Sequence, residues 1–148
     1  MSSLSDFTII NNGVNTDIKI IKHNETGYYN ITKINKSIYA KKCEEGSNNG
    51  LGGIPPSLKE TKQWFYNQSN KDLINLLQKE LNNNNLYYVL NDVMDDFKGT
   101  YVHKFLYDHI LMWIDKSYAI KVSIILNNRT ETPYFFFITV VHRLLYII

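Results

Sequence analysis

The chain is organised around the segment Gly99-Thr100-Tyr101-Val102-His103, and an amphipathic run that ends at Trp113 follows it. Glycine frees the backbone for a turn, and the next three residues suit a pleated, half-buried strand. From Lys104 the period changes to spacings of three and four, which place five residues on one inner helix face: Phe105, Leu106, His109, Ile110 and Trp113. The sequence therefore predicts a turn, a short strand and a buried helix in immediate succession, with His109 as a hydrogen-bonded core histidine.

The composition is that of one folded domain. The 148 residues are 44% hydrophobic and 20% charged, which is typical of a chain with a hydrophobic core. A formal net charge of +2 neither requires nor excludes a nucleic-acid partner. Nearly all the basic residues are lysines, which act as point charges on phosphate, whereas arginine is the usual bidentate reader of guanine. An AT-rich genome would produce the same lysine excess.

Upstream of residue 99 the pattern predicts strands first and helices second. The Ile-rich run Asp17 to Lys22 and the run Tyr28 to Ile31 are predicted strands, with a turn between them. A first helix is expected from Thr32 to Lys42, followed by a flexible loop over 44–57 that is rich in Gly, Ser and Asn. Residues 1–16 carry no clear period and are interpreted as a tail or a loose strand.

Two more helices and a hairpin are expected before residue 99. Ser57 and Glu60 have the spacing of a capping box, so a second helix is predicted from Ser57 to Asn67, with a break over 67–70. A third helix, Lys71 to Leu81, carries a stripe of leucines at positions 73, 76, 77 and 81. A hairpin is expected from Leu86 to Val102.

The end of the chain is predicted to be a helix followed by an apolar tail. Ser117 can cap the helix. Residues 134–148 are apolar except for Thr139, His142 and Arg143, a run too short and too interrupted for a membrane-spanning helix. Three interpretations are open for this tail: an added buried strand or helix, an oligomer contact, or a frameshifted or truncated reading frame.

Two segments resemble the KilA-N domain, which is common in large DNA viruses and phages and is similar to the fungal APSES domain. The family pattern of G-T-Y-V-H, a helix ending in Trp and a Ser-initiated helix resembles residues 99–122. The earlier pattern, an aromatic residue followed by N-A-T-K, resembles Tyr29-Asn30-Ile31-Thr32-Lys33. The resemblance covers 17–127, which leaves 1–16 as an N-terminal tail or loose strand and 128–148 as the C-terminal tail.

The resemblance implies an α+β fold, a winged helix-turn-helix-like domain with a small β-sheet and about five helices. It implies a non-enzymatic DNA-binding protein of a large DNA virus, with 57–67 as the recognition helix and 86–102 as the wing. We expect it to act in the host nucleus or at a cytoplasmic viral replication site, and not to be secreted, since residues 1–12 lack signal-peptide features. Cys43 is the only cysteine, so no RING-type zinc module, metal or cofactor is predicted.

The residues expected to contact double-stranded DNA are lysines and amides on the first two helices and on the wing. They are Lys33, Lys36, Lys41, Lys42, Lys59, Lys62, Gln63, Asn67 and Lys98. Lysine neutralises phosphate, and Gln or Asn can pair with adenine edges, so binding of low sequence specificity is expected.

The wing is acidic, which argues against a DNA contact there. Asp92, Asp95 and Asp96 are accompanied by Lys98 alone, and carboxylates repel phosphate. The alternative function is therefore a protein–protein interaction module that kept the fold and lost DNA affinity. Its partner would bind the acidic wing or the apolar tail, and no membrane contact is expected.

Overall fold

Strands and helices follow one another in the computed structural model, which describes residues 6–10, 18–48 and 58–127. The strands are β1 (Phe7–Ile10), β2 (Ile20–His23), β3 (Tyr28–Asn30), β4 (Tyr87–Leu90) and β5 (Gly99–Val102). The helices are α1 (Ile31–Asn48), α2 (Thr61–Tyr66), α3 (Gln68–Leu81), α4 (Lys104–Ile114) and α5 (Lys116–Asn127). A 3₁₀ turn, Asp95–Phe97, lies between β4 and β5. The predicted α+β class, with a small sheet and about five helices, is confirmed.

The five strands form one antiparallel sheet in the order β1-β2-β3-β5-β4. β3 pairs with β5 through Tyr29 opposite Val102 and Asn30 opposite Tyr101, so the two segments that carry the family resemblance are neighbours. β1 pairs with β2 and buries Phe7 and Ile10, so this part of the expected tail or loose strand is a paired strand of the sheet.

Both faces of the sheet are covered by apolar side chains. On one face the helices supply a large core whose members include Ile34, Trp64, Leu106 and Ile110. On the other face a smaller aromatic cluster contains Phe7, Ile21, Tyr28, Phe97 and Tyr101. Phe97 stacks on Phe7 with ring centroids 4.4 Å apart, so the turn between β4 and β5 closes the second face.

The helix boundaries differ from the prediction where tertiary contacts act. α1 continues to Asn48 instead of ending near Lys42, and the Tyr118 hydroxyl donates to Glu45 Oε1 at 2.6 Å on the added turn. α2 begins at Thr61, because Glu60 is extended and the Lys59 carbonyl accepts a hydrogen bond from the Asn35 side-chain amide at 2.6 Å. Glu60 makes no capping hydrogen bond, so the capping box is wrong; its Ser57 lies outside the described residues.

The break between α2 and α3 is shorter than predicted. α3 begins at Gln68, and Asn67 alone separates the two helices. The Asn67 side chain caps α3 by accepting from the Ser69 amide at 2.9 Å, and this bond favours a helix start three residues earlier than expected.

Three side-chain predictions are also wrong. His109 is exposed, because Leu106, Tyr107 and Ile110 fill the inner face of α4. Leu76 is 59% exposed, and Ile74 takes the buried position on α3. The cap of α5 is Asp115 rather than Ser117, since Asp115 Oδ1 accepts from the Tyr118 amide at 3.1 Å.

Candidate nucleic-acid interface

The N-terminus of α1 is fixed against the turn between β4 and β5 by Asn30. This buried side chain accepts from the Lys33 amide at 2.8 Å and thereby caps the helix. Its amide group donates to the Lys98 carbonyl at 3.1 Å and to the Phe97 carbonyl at 3.3 Å. Thr32 Oγ1 accepts from the Thr100 amide at 3.0 Å. The wing and the first basic helix are therefore joined at one junction.

The four lysines predicted on α1 do not share one face. At about 100° per residue, Lys33 and Lys36 lie about 60° apart around the helix axis, whereas Lys42 lies about 180° from Lys33. Lys36 is exposed and Lys33 is half-buried. Lys41 forms an ion pair with Glu44 at 3.8 Å, and Lys42 forms one with Asp115 at 3.1 Å. The structure thus brings Lys33 and Lys36 together and turns Lys42 toward the start of α5.

The contacts of Asp115 explain why Lys42 points toward the start of α5. Burial opposes ionisation of Asp115, but the Tyr118 amide, the Lys42 ammonium and the Ser117 amide outweigh it and lower the pKa of this carboxyl. The carboxylate therefore caps α5 and holds Lys42 at the same time.

Lys59 and Asn67 also have internal partners. The Lys59 ammonium donates to the Trp113 carbonyl at 2.7 Å and lies 5.2 Å from the centre of the Trp113 ring. That carbonyl is in the last turn of α4, where the helix dipole favours a cation. Asn67 is the cap of α3 described above.

The outer face of α2 carries Lys62, Gln63 and Tyr66, because Trp64 occupies the inner face. Tyr66 is 73% exposed and was not among the predicted site residues. It follows Lys62 by four residues, so the spacing itself placed it on the same face. α2 lies beside the edge strand β4, since the Phe65 and Tyr87 rings are 4.7 Å apart.

The acidic turn of the wing lies close to the basic end of α1. Asp95 forms an ion pair with Lys98 at 2.8 Å. The hydrogen bond from Lys98 and the charges of Lys98 and Lys33 lower the pKa of Asp95. Asp92 and Asp96 are exposed in the same turn, so Lys33 and Lys98 stand in a locally acidic setting.

A further lysine, Lys19, adjoins α1 and was missed by the sequence analysis. Its backbone amide donates to Ser37 Oγ at 3.1 Å, and its side chain is exposed. Ser37 is four residues from both Lys33 and Lys41, so the three form one row on the helix. The contact joins residues 18 positions apart, and no local pattern predicts it.

No cluster of three His, Cys, Asp or Glu side chains able to hold a metal occurs in residues 6–10, 18–48 and 58–127. Within the same ranges, no helix has the length and apolar character needed to cross a membrane.

Comparison with known proteins gives one family and one curated relative. The family model of the KilA-N domain matches residues 52–132. A KilA-N domain-containing protein of Acanthamoeba polyphaga mimivirus is 30% identical over 110 residues, which are 73% of this chain and 39% of the relative. The chain thus spans less than half the length of that relative. No solved structure matches.

Proposed function

Because the chain belongs to the KilA-N domain family, we propose that it binds double-stranded DNA without catalysing a reaction on it. Membership of this generally DNA-binding family, found in large DNA viruses, is the observation that carries the proposal. Lysines contact phosphates and fix the register of the protein, and α2 is the element nearest to the bases. Since viral DNA is the target, the protein acts where that DNA is replicated, in the host nucleus or at a cytoplasmic site.

The phosphate contacts come mainly from Lys36 and Lys62. Both are exposed, and neither forms an ion pair with another residue of the described ranges. Lys33, Lys41 and Lys98 contribute less, because each has an acidic side chain nearby. Lys19 extends the same basic surface along α1.

Gln63 and Tyr66 are the candidates for contacts to bases and sugars. Both lie on the outer face of α2, and a glutamine amide can pair with an adenine edge. Three of the predicted contact residues instead hold the helices in place, because each already has a partner within the protein. They are Lys42, Lys59 and Asn67.

The test is a fluorescence-anisotropy titration of labelled duplex DNA with the full chain at several salt concentrations. The variant is Lys36→Ala/Lys62→Ala, and the control is Lys79→Ala/Lys116→Ala, which removes the same charge from exposed sites on α3 and α5. Loss of two phosphate contacts reduces the slope of log K against log salt by about two. The control keeps the wild-type slope.

The outcome separates two functions. If both double variants lost the same amount of affinity and salt slope, the binding would depend on net charge alone. The assignment of α1 and α2 as the binding face would then be rejected. A folded sample that fails to bind duplex at low salt would reject DNA binding itself. The second candidate would then apply, a protein partner recognised through the acidic turn, because Asp92, Asp95 and Asp96 are all exposed there.

A further inference from the structure

Helices α4 and α5 form an apolar cleft that is open to solvent. Its walls include Met112 and Ile120, and Ile124 lies one turn beyond Ile120; these side chains are 47%, 57% and 55% exposed. The cleft has a volume of about 220 Å³ and is also lined by Asp108, Ala119 and Ser123. Isolated exposed apolar side chains are ordinary, but a contiguous group indicates a surface that something covers.

The chain itself supplies an apolar segment that follows α5 in the sequence. α5 ends at Asn127, and residues 134–148 hold no charged residue except Arg143. The six intervening residues, 128–133, can span about 20 Å. Ile124 and Ile120 lie only about 5 and 10 Å from the end of α5 along its axis, so the linker is long enough for the chain to turn back.

We propose that residues 134–148 fold back in cis and cover the cleft lined by Met112 and Ile120, together with the exposed Ile124 one turn further along α5. Covalent attachment keeps the segment at a high local concentration, which favours this occupant over a separate molecule. Asp108 offers a carboxylate at the rim of the cleft, where Lys104 already binds it at 2.7 Å, and Arg143 can add a second cation. The surface lies on α4 and α5, apart from the α1 and α2 lysines, so the inference does not depend on DNA binding.

Hydrogen exchange of the full-length chain tests the proposal directly. Backbone amides of 134–148 exchange at least about tenfold more slowly in the wild type than in Ile120→Glu/Ile124→Glu. Leu76→Glu is the control, because it introduces a glutamate at an equally exposed apolar position on α3, away from the cleft. Protection of β5 amides and the far-UV circular dichroism of all three proteins establish that the domain is folded.

Each alternative result overturns the docking in cis. Rapid exchange of 134–148 in the folded wild type would show that nothing covers the segment. Protection that rises with protein concentration, together with a dimer mass in light scattering, would assign the cleft to a second copy. Equal loss of protection in the Leu76→Glu control would show that the cleft has no specific role.

Discussion

Gly99 lies against the first turn of α1 in a conformation that other residues rarely adopt. Its φ is +141°, and an added Cβ would lie 2.8 Å from Thr32 Cβ and 2.9 Å from Asn30 Oδ1. We expect Gly99→Ala to lower the free energy of unfolding by about 2 kcal/mol or more, because strain and overlap act together. Gly27→Ala is the control; its φ is +78° with open space around the Cβ, so only the smaller strain remains. Equal midpoints in urea for the two variants would contradict this.

Two buried tyrosines on neighbouring elements should respond in opposite directions to loss of their hydroxyls. The Tyr107 hydroxyl is buried with no hydrogen-bond partner in the described part of the chain, whereas the Tyr101 hydroxyl donates to the Phe97 carbonyl at 2.6 Å. Tyr107→Phe removes an unsatisfied group and should raise the free energy of unfolding by about 1 kcal/mol. Tyr101→Phe breaks a bond and should lower it by about 1 kcal/mol. Urea titrations of both variants measure whether the free energy of unfolding rises or falls.

His103 links stability to pH because it must be neutral to cap α4. Its Nδ1 accepts from the Phe105 amide at 3.2 Å, and burial, followed by the charge of Lys104, lowers its pKa below 6.5. The unfolded chain therefore binds the proton more readily than the folded chain. The stabilising contribution is present above the unfolded pKa and is lost as the pH falls below about 6.5.

The measurement is the melting temperature between about pH 7.5 and about pH 5 for the wild type and for His103→Asn. Asparagine keeps an acceptor at the cap and does not titrate in this range. Across this interval, the melting temperature of the wild type should fall by more than that of the variant. Parallel curves would show that His103 makes no contribution to the pH dependence.

At the scale of elements, the sequence predicts well what is determined locally. The segment 29–33 contains the cap of α1, and the segment 99–103 contains a strand that begins at an obligatory glycine. The structure pairs the two segments through β3 and β5. The start of α2 and the ion pair of Lys42 were not predictable in this way. They depend on Asn35 contacting Lys59 and on Lys42 contacting Asp115, and such long-range partners leave no periodic signal.

If the chain binds DNA as proposed, the wing is the element whose charge should limit the affinity most directly. Asp95 is the ion-pair partner of Lys98, so removing its charge makes that lysine available for phosphate. Asp95→Asn should raise duplex affinity at low salt and steepen the salt slope by about one. Asp72→Asn on α3 makes the same change of net charge away from the site and serves as the control. If both variants gain equally, the gain reflects net charge rather than the wing.

At the scale of the whole molecule, the sheet couples its two faces into one cooperative unit. Phe97 closes the aromatic face and Ile110 lies in the helical core, and both belong to clusters that pack on the same five strands. If either cluster unpacks, the strands lose an apolar cover that they need to remain stable in water. The cluster on the opposite face then loses the sheet on which it packs. A core that is shared in this way predicts a single unfolding transition.

This prediction is tested with Phe97→Ala and Ile110→Ala, each expected to lower the free energy of unfolding by about 3 kcal/mol. Trp64 and Trp113 lie on the helical side, so their fluorescence reports one face while far-UV circular dichroism reports the whole chain. In both variants the unfolding midpoints from the two probes should fall by the same amount. Leu76→Ala, at a 59% exposed position, should leave both midpoints unchanged. If Phe97→Ala left the tryptophan transition in place, the two faces would unfold independently. The wing could then unfold while the helical core, which includes residues of α1 and α2, stays folded.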